Sequence, residues 1–212
     1  MANEMAKTSR ATRAEAELRR LAGEAAGCQD CDLHRNATQT VFGKGAAGAR
    51  ILLLGEQPGD QEDKAGEPFV GPAGRILDKA LDEVGLSRDD VYTTNAVKHF
   101  KWTAKGKRRI HQRPSAREAA ACRQWLEAEL AAVDPAVIVM LGATAGQALF
   151  GSKFRVGAAR GQVLDLDGRA VVATIHPSAV LRVQEPADRD EQYAGLVADL
   201  RRAVEVSEEE NR

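Results

Sequence analysis

Two kinds of apolar pattern alternate along the chain. Ile51-Leu-Leu-Leu54 and Val137-Ile-Val-Met-Leu141 are short continuous apolar runs, each followed directly by a glycine. Runs of this length with no polar face predict strands buried on both sides of a sheet. Val91-Tyr-Thr-Thr94, β-branched and aromatic, predicts a strand between them, and Val171 to Ile175 predicts a fourth. Between the strands the apolar spacing becomes helical. Leucines and alanines from about Arg13 to Ala26 stop at Gly27, and Pro72 opens an amphipathic segment from Ala73 to Val84. Ser115 and Glu118 have capping-box spacing at the head of a helix reaching about Ala132. Ala143 to Phe150 predicts a short helix and about Arg189 to Val204 a final one. The stretches from Gly55 to Pro72 and from Asn95 to Pro114 read as loops.

Strands that alternate with helices imply a parallel sheet covered on both faces. The expected fold class is α/β: a three-layer α/β/α arrangement around a central, mostly parallel, four-stranded sheet, in a single domain over residues 1–212 with fraying expected at residues 1–10 and 206–212. In such folds ligands sit beyond the carboxyl ends of the strands. That rule alone gathers Glu56, Gln57, Asp60, Asn95 and His176 on one rim.

Composition narrows the picture. A hydrophobic content of 43% with 29% charged residues is that of a soluble globular domain. The apolar runs are too short to span a bilayer and the N-terminus lacks a signal-peptide layout, so a cytoplasmic protein without membrane contact is expected. A formal net charge of −1 hides an uneven distribution: Lys98, Lys101, Lys105, Lys107, Arg108, Arg109 and Arg113 fall between Asn95 and Pro114 with no acid among them. Glu208, Glu209 and Glu210 form an acidic tail at the other end. With no conspicuous apolar surface stripe, a monomer is expected.

Three cysteines in a chain of this kind point to metal or redox chemistry rather than disulfides. Cys28-x-x-Cys31 has metal-ligand spacing and Cys122 lies far along the chain, so a site using all three needs a fourth ligand, His34 or His99. Zinc and an iron–sulfur cluster both suit such a set. Gly55-Glu-Gln-Pro-Gly59 exposes two polar side chains and backbone N–H groups at the sheet's edge, and the lysine of a nucleotide-triphosphate loop is absent.

Four motifs then stand in a telling order: Gly55-Glu-Gln-Pro-Gly-Asp60, Pro68-Phe-Val-Gly-Pro-Ala-Gly74, Thr94-Asn-Ala-Val-Lys98 and His176-Pro-Ser178. Over Cys28 to roughly Arg182 the chain resembles the iron–sulfur, family-4-like branch of the uracil-DNA glycosylase superfamily. The resemblance implies a base flipped out of DNA, stacked on Phe69 and read along its edge by Asn95, with Gln57 and the Gly59 backbone adding contacts. It implies that His176 donates a hydrogen bond to uracil O2 as charge builds there, and that Ser178 and Arg182 grip phosphates. It also selects His99, which stands where related glycosylases carry a cysteine, to join Cys28, Cys31 and Cys122 around a 4Fe–4S cluster, with zinc the alternative.

Lys105-Gly-Lys-Arg-Arg-Ile-His111 lengthens the segment between His99 and Cys122 and resembles the loop of the UdgX family. There the corresponding histidine attacks the sugar's anomeric carbon, which carries the nucleophile onto His111. Glu56 would accept the other imidazole N–H, and Asp60 would stabilise the sugar cation or position water. Lys107, Arg108 and Arg109, unopposed by acids, would neutralise phosphates. The expected partner is uracil-containing DNA, single strands included. The rivals are a turnover glycosylase using water positioned by Glu56 or Asp60, and a non-enzymatic metal-containing DNA-binding module.

Overall fold

A computed structural model describes residues 2–209, so Met1 and the end of the acidic tail at 210–212 lie outside the described residues. In chain order the elements are α1 (Ala2–Ala25), β1 (Lys44–Gly45), β2 (Ile51–Gly55), α2 (Asp60–Ala65), α3 (Pro72–Glu83), β3 (Val91–Asn95), β4 (Trp102–Lys105) and β5 (Arg108–His111). They continue with α4 (Ala116–Val133), β6 (Val137–Leu141), α5 (Ala143–Phe150), α6 (Val156–Ala159), β7 (Val163–Leu166), β8 (Arg169–Thr174), α7 (Ser178–Arg182) and α8 (Pro186–Glu209). None of the described helices is long and apolar enough to cross a membrane.

The strands expected from the apolar runs are β2, β3, β6 and β8, and they pair in parallel in the order β3-β2-β6-β8. The sheet has six strands rather than four, because β1 and β7 add antiparallel edges against β3 and β8. β1 is only two residues long and carries no apolar pattern to read. β7 turns into β8 through Asp167 and Gly168, both at positive φ (52° and 81°), which is the backbone of a type I′ hairpin turn. The basic segment is likewise a hairpin, β4 paired with β5, rather than a loop. α2 occupies part of the stretch expected as loop between Gly55 and Pro72, and α8 runs to Glu209 with Val206 and Ser207 buried.

Alternation along the central strands divides the core between two faces. Leu52, Leu54, Tyr92, Ile138, Met140, Val171 and Ala173 pack toward Leu18 of α1 and Leu126, Leu130 and Val133 of α4. Ile51, Leu53, Val91, Val137, Val139, Leu141 and Val172 pack toward Leu77 and Leu81 of α3 and Leu196 and Leu200 of α8. Three layers follow from this two-sided burial.

A charged pair is shut inside the first of these faces. Lys98 Nζ bonds Glu129 Oε2, and the two side chains are 1% and 0% exposed. Lys98 Nζ also donates to Thr94 Oγ1 and to the Asn95 carbonyl, both at 2.7 Å. Glu129 Oε1 accepts from Tyr92 OH at 3.0 Å and from the Gly43 N–H at 2.9 Å. Every charge-bearing atom therefore has partners, the condition under which burying an ion pair is tolerated. Lys98→Met leaves the carboxylate buried without its cation and is expected to lower stability by about 3–5 kcal/mol, whereas Lys98→Met with Glu129→Leu recovers most of that loss. Urea denaturation of the two variants against the parent chain checks this.

Candidate active site

Because β2, β3, β6 and β8 run parallel, their carboxyl ends open on one rim. Glu56 and Gln57 follow β2, Asn95 ends β3, Gly142 and Thr144 follow β6, and His176 follows β8. The rim expected from the strand pattern is thus assembled, with one strand end more than the pattern nominated.

Two side chains converge on Gly55. A Cβ at that position would lie 2.3 Å from Asn95 Oδ1 and 2.6 Å from Phe69 Cζ, so only glycine lets both approach. Phe69 holds a left-handed φ of 56°, a strained geometry for a bulky residue. It is kept there by Arg88, which donates to the Phe69 carbonyl at 2.9 Å and stands over the ring at 5.8 Å. Gly74 is required beneath it, since a Cβ there would sit 1.7 Å from the Phe69 oxygen. The Phe69 and His176 rings stack at 6.1 Å. Asn95 is buried, yet its side-chain amide forms no hydrogen bond with another described residue, which leaves donor and acceptor available to a ligand.

The loops that carry these groups are tied by Glu62, which the sequence pattern did not single out. Its two carboxylate oxygens accept the Gly59 N–H at 3.1 Å and the Gly71 N–H at 2.7 Å. The Gly59 N–H, expected to face a base, is therefore committed to the protein.

His176 is held in one tautomer. The Ser178 N–H donates to its Nδ1 at 3.2 Å, and Ser178 Oγ, which accepts from Arg182 at 3.0 Å, lies 2.8 Å from the same nitrogen. With Nδ1 accepting, the proton rides on Nε2. Burial, reinforced by the nearby charge of Arg182, depresses the imidazole to about 4, so the ring stays a neutral donor near neutral pH. Ser178 and Arg182, expected on phosphates, also support His176, Ser178 directly and Arg182 through the Ser178 hydroxyl.

His111 ends β5, and the hairpin is fastened from beneath. Gln57 Oε1 accepts the Lys101 N–H at 3.0 Å, and Gln57 Nε2 reaches the Gln112 carbonyl at 2.9 Å and His111 Nε2 at 2.8 Å. The Gln57 amide is spent on the hairpin. Arg109 points inward, paired with Asp60 and, at 2.6 Å, with the fully buried Asp63, while its guanidinium stands over the Phe100 and Trp102 rings at 5.4 Å each. Asp63 also accepts the Thr38 N–H at 2.9 Å. The basic run is therefore not free of acids: Arg109 meets two of them, supplied by α2. Lys64 first and Arg109 second hold the Asp60 carboxyl below its ordinary range. Lys105, Lys107 and Arg108 remain exposed at the hairpin tip.

Glu56 stands between these groups. Its Oε1 lies 3.4 Å from His111 Nε2, and its Oε2 accepts from Thr144 Oγ1. Gln57 and Glu56 thus meet the same imidazole nitrogen with opposite demands: an amide N–H needs its lone pair, and a carboxylate gains when it is protonated. The other nitrogen is open to chemistry.

The cysteines and His99 come from the segment after α1, the residue next to Lys98, and α4. Cys31 and Cys122 pack with Leu33, Val97 and Ala119. Cys122 Sγ lies 3.5 Å from the Lys98 N–H, and Cys28 Sγ accepts from Trp125 Nε1 at 3.2 Å. His99 Nε2 is 3.0 Å from Thr40 Oγ1, whereas its Nδ1 is buried with no partner. His34 Nδ1 is engaged with the Cys31 carbonyl at 2.7 Å. Burial raises the Cys122 thiol to about 11, raises Cys31 as well, and lowers His99. Among the described residues no group of three or more His, Cys, Asp or Glu has the geometry to hold a single metal ion. A multi-iron cluster spaces its ligands more widely than one ion does. N–H groups aimed at sulfur and an orphaned, buried imidazole nitrogen fit such a group.

A model of the uracil DNA glycosylase superfamily matches residues 42–201. The type-4 uracil-DNA glycosylase of Thermotoga maritima is 42% identical over 157 residues, which cover 73% of this chain and 78% of the relative. That of Archaeoglobus fulgidus is 39% identical over 166 residues, 74% of this chain and 80% of its own. That of Pyrobaculum aerophilum is 34% identical over 172 residues, 77% and 83% respectively.

The tautomer assignment has a spectroscopic consequence. Nitrogen-15 NMR of the imidazoles should find His176 with its proton on Nε2 at pH 6 and titrating near 4, and Ser178→Ala should weaken that tautomer preference. A His176 midpoint near the ordinary 6.5 would contradict the assignment.

Proposed function

The chain belongs to the uracil DNA glycosylase superfamily, and from that premise we propose that it excises uracil from DNA and is then captured on the sugar through His111. The base enters between Phe69 and the Asn95 amide, which offers an acceptor to N3–H and a donor to O4. The C1′–N1 bond breaks with its electron pair leaving on uracil, and His176 Nε2–H stabilises the charge that develops at O2. An imidazole nitrogen of His111 then bonds to C1′ of the cationic sugar, and Glu56 takes the proton from the ring, so that neutral imidazole is the group consumed. The observation that carries this reading is Glu56 Oε1 lying 3.4 Å from His111 Nε2, on the rim that also bears Asn95 and His176. Arg109 and Asp60 support the hairpin as a mutually neutralised pair. Phosphate contact falls to Lys107 and Arg108, with Lys105 beside them at the tip and Arg182 on α7.

The chain acts as a single domain and a monomer in this reading, on single-stranded as well as double-stranded substrate, in the cytoplasm. A turnover glycosylase, in which Glu56 orients water instead, is the second reading. The two separate on one gel. Incubation with a uracil-containing single-stranded oligonucleotide, followed by hot detergent, should leave a protein–DNA band that His111→Ser abolishes. Free uracil and abasic strand accumulating over many turnovers, with no such band, would leave the water mechanism standing.

We further propose that Cys28, Cys31, His99 and Cys122 hold a 4Fe–4S cluster, which when bound serves to cross-link the segment after α1, the Lys98 segment and α4. The purified chain should be brown, with a broad visible absorbance that Cys122→Ser removes. A colourless protein carrying stoichiometric zinc would reassign the site.

A further inference from the structure

The parallel sheet delivers Glu56, Asn95 and His176 from the ends of β2, β3 and β8, and the remaining central strand, β6, delivers α5 to the same rim. Gly142 begins this approach at a φ of 94°, and a Cβ there would lie 3.0 Å from His176 Cβ, so the head of α5 is pressed against the histidine segment. Thr144, in the first turn of α5, is buried at 8% exposure and bonds through its hydroxyl to Glu56 Oε2. The opposite oxygen of that carboxylate is the one 3.4 Å from His111 Nε2.

We infer that Thr144 is a positioning residue for covalent capture: it anchors one oxygen of Glu56 so that the other faces His111. The inference rests on the capture reading above. A glutamate side chain carries several rotatable bonds, and fixing one rotamer against them costs free energy that a lone surface carboxylate does not recover. A threonine supplies that fixation well, because its branched Cβ restricts χ1 and its hydroxyl approaches from a rigid helical turn. The hydroxyl of Thr144 is engaged with Glu56, so its influence on chemistry passes through that carboxylate. The first turn of α5 adds a favourable field for a carboxylate at that place.

The role predicts a change in product partition. After excision the sugar is either captured by His111 or released as a free abasic strand, and the ratio of the two reports how well Glu56 serves His111. Thr144→Val keeps the volume and removes the hydroxyl, and the captured-to-free ratio should fall by about tenfold, the loss expected for one hydrogen bond to a charged group. Thr144→Ser should restore the ratio toward that of the parent chain, and Thr144→Ala should match Thr144→Val if the methyl groups play no part. Both products are read from one incubation with a uracil-containing single-stranded oligonucleotide, the adduct on a denaturing gel and the free abasic strand by alkaline cleavage.

An unchanged ratio in Thr144→Val and Thr144→Ala overturns the inference while leaving capture intact. So does a loss of excision and capture in equal proportion, which would mark Thr144 as a support of the fold alone. No adduct from the parent chain overturns the capture reading itself and, with it, the role assigned to Thr144.

Discussion

An ammonium and a carboxylate enclosed without water must satisfy each other completely, and the Lys98–Glu129 pair does so by drawing together three separate pieces of chain. Glu129 comes from α4, Thr94 and the Asn95 carbonyl from the end of β3, Tyr92 from within that strand, and Gly43 from the segment leading to β1. The backbone around Lys98 is used as well: its carbonyl accepts the Val41 N–H at 2.8 Å and its N–H faces Cys122 Sγ. One residue thus locks the strand end that carries Asn95 and borders the cysteine cluster. In a low-dielectric interior neither partner can be lost alone without stranding a charge. The end of the rim that carries Asn95 and the proposed cluster site are therefore parts of one rigid unit.

The same principle acts more openly at the hairpin. β4 and β5 pair only with each other, and an isolated two-stranded hairpin is marginal in water. Its orientation comes from polar pegs: Arg109 drives between Asp60 and Asp63 while lying over Phe100 and Trp102, and Gln57 clasps the residues flanking both strands. His111 is exposed at the end of this construction, half of its side chain in solvent, yet its ring is placed beside a partly buried carboxylate. A reactive group can be mobile in principle and located in practice when its supporting strand is fastened a few residues away.

On the opposite side of the rim the control is electrostatic rather than mechanical. Ser178 presents two donors to one nitrogen of His176, and burial removes the option of a second proton, which leaves a neutral imidazole with its single N–H directed away from its supports. Phe69, in a backbone conformation that glycine would adopt without strain, is retained by Arg88 and by the empty space at Gly55 and Gly74. Two of the motif glycines are thus explained by close approach.

Much of this was legible in one dimension. The four parallel strands, most of the long helices and the capping box at Ser115 follow from local propensity and periodicity, and the carboxyl-end rule brought Glu56, Asn95 and His176 to one rim because parallel strands necessarily end on the same side. What local pattern carries poorly is pairing between distant segments. β1 is too short to have a period, the β4–β5 alternation is masked by lysine and arginine, and β7 was signalled only by Asp167-Gly168. The same limit governs the site: a run of cations looks free until folding sets Asp60 and Asp63 against Arg109, and Gln57, Gly59 and Ser178 look available to a ligand until the chain itself uses them. Thr144 bears no motif at all and acquires its meaning only from standing 88 residues along the chain from the carboxylate it holds. Sequence by itself determined which residues can donate, accept or attack, since that is a property of each side chain; only the tertiary structure decided which of them remain free to do so, because a hydrogen bond already made within the protein is no longer available to anything outside it.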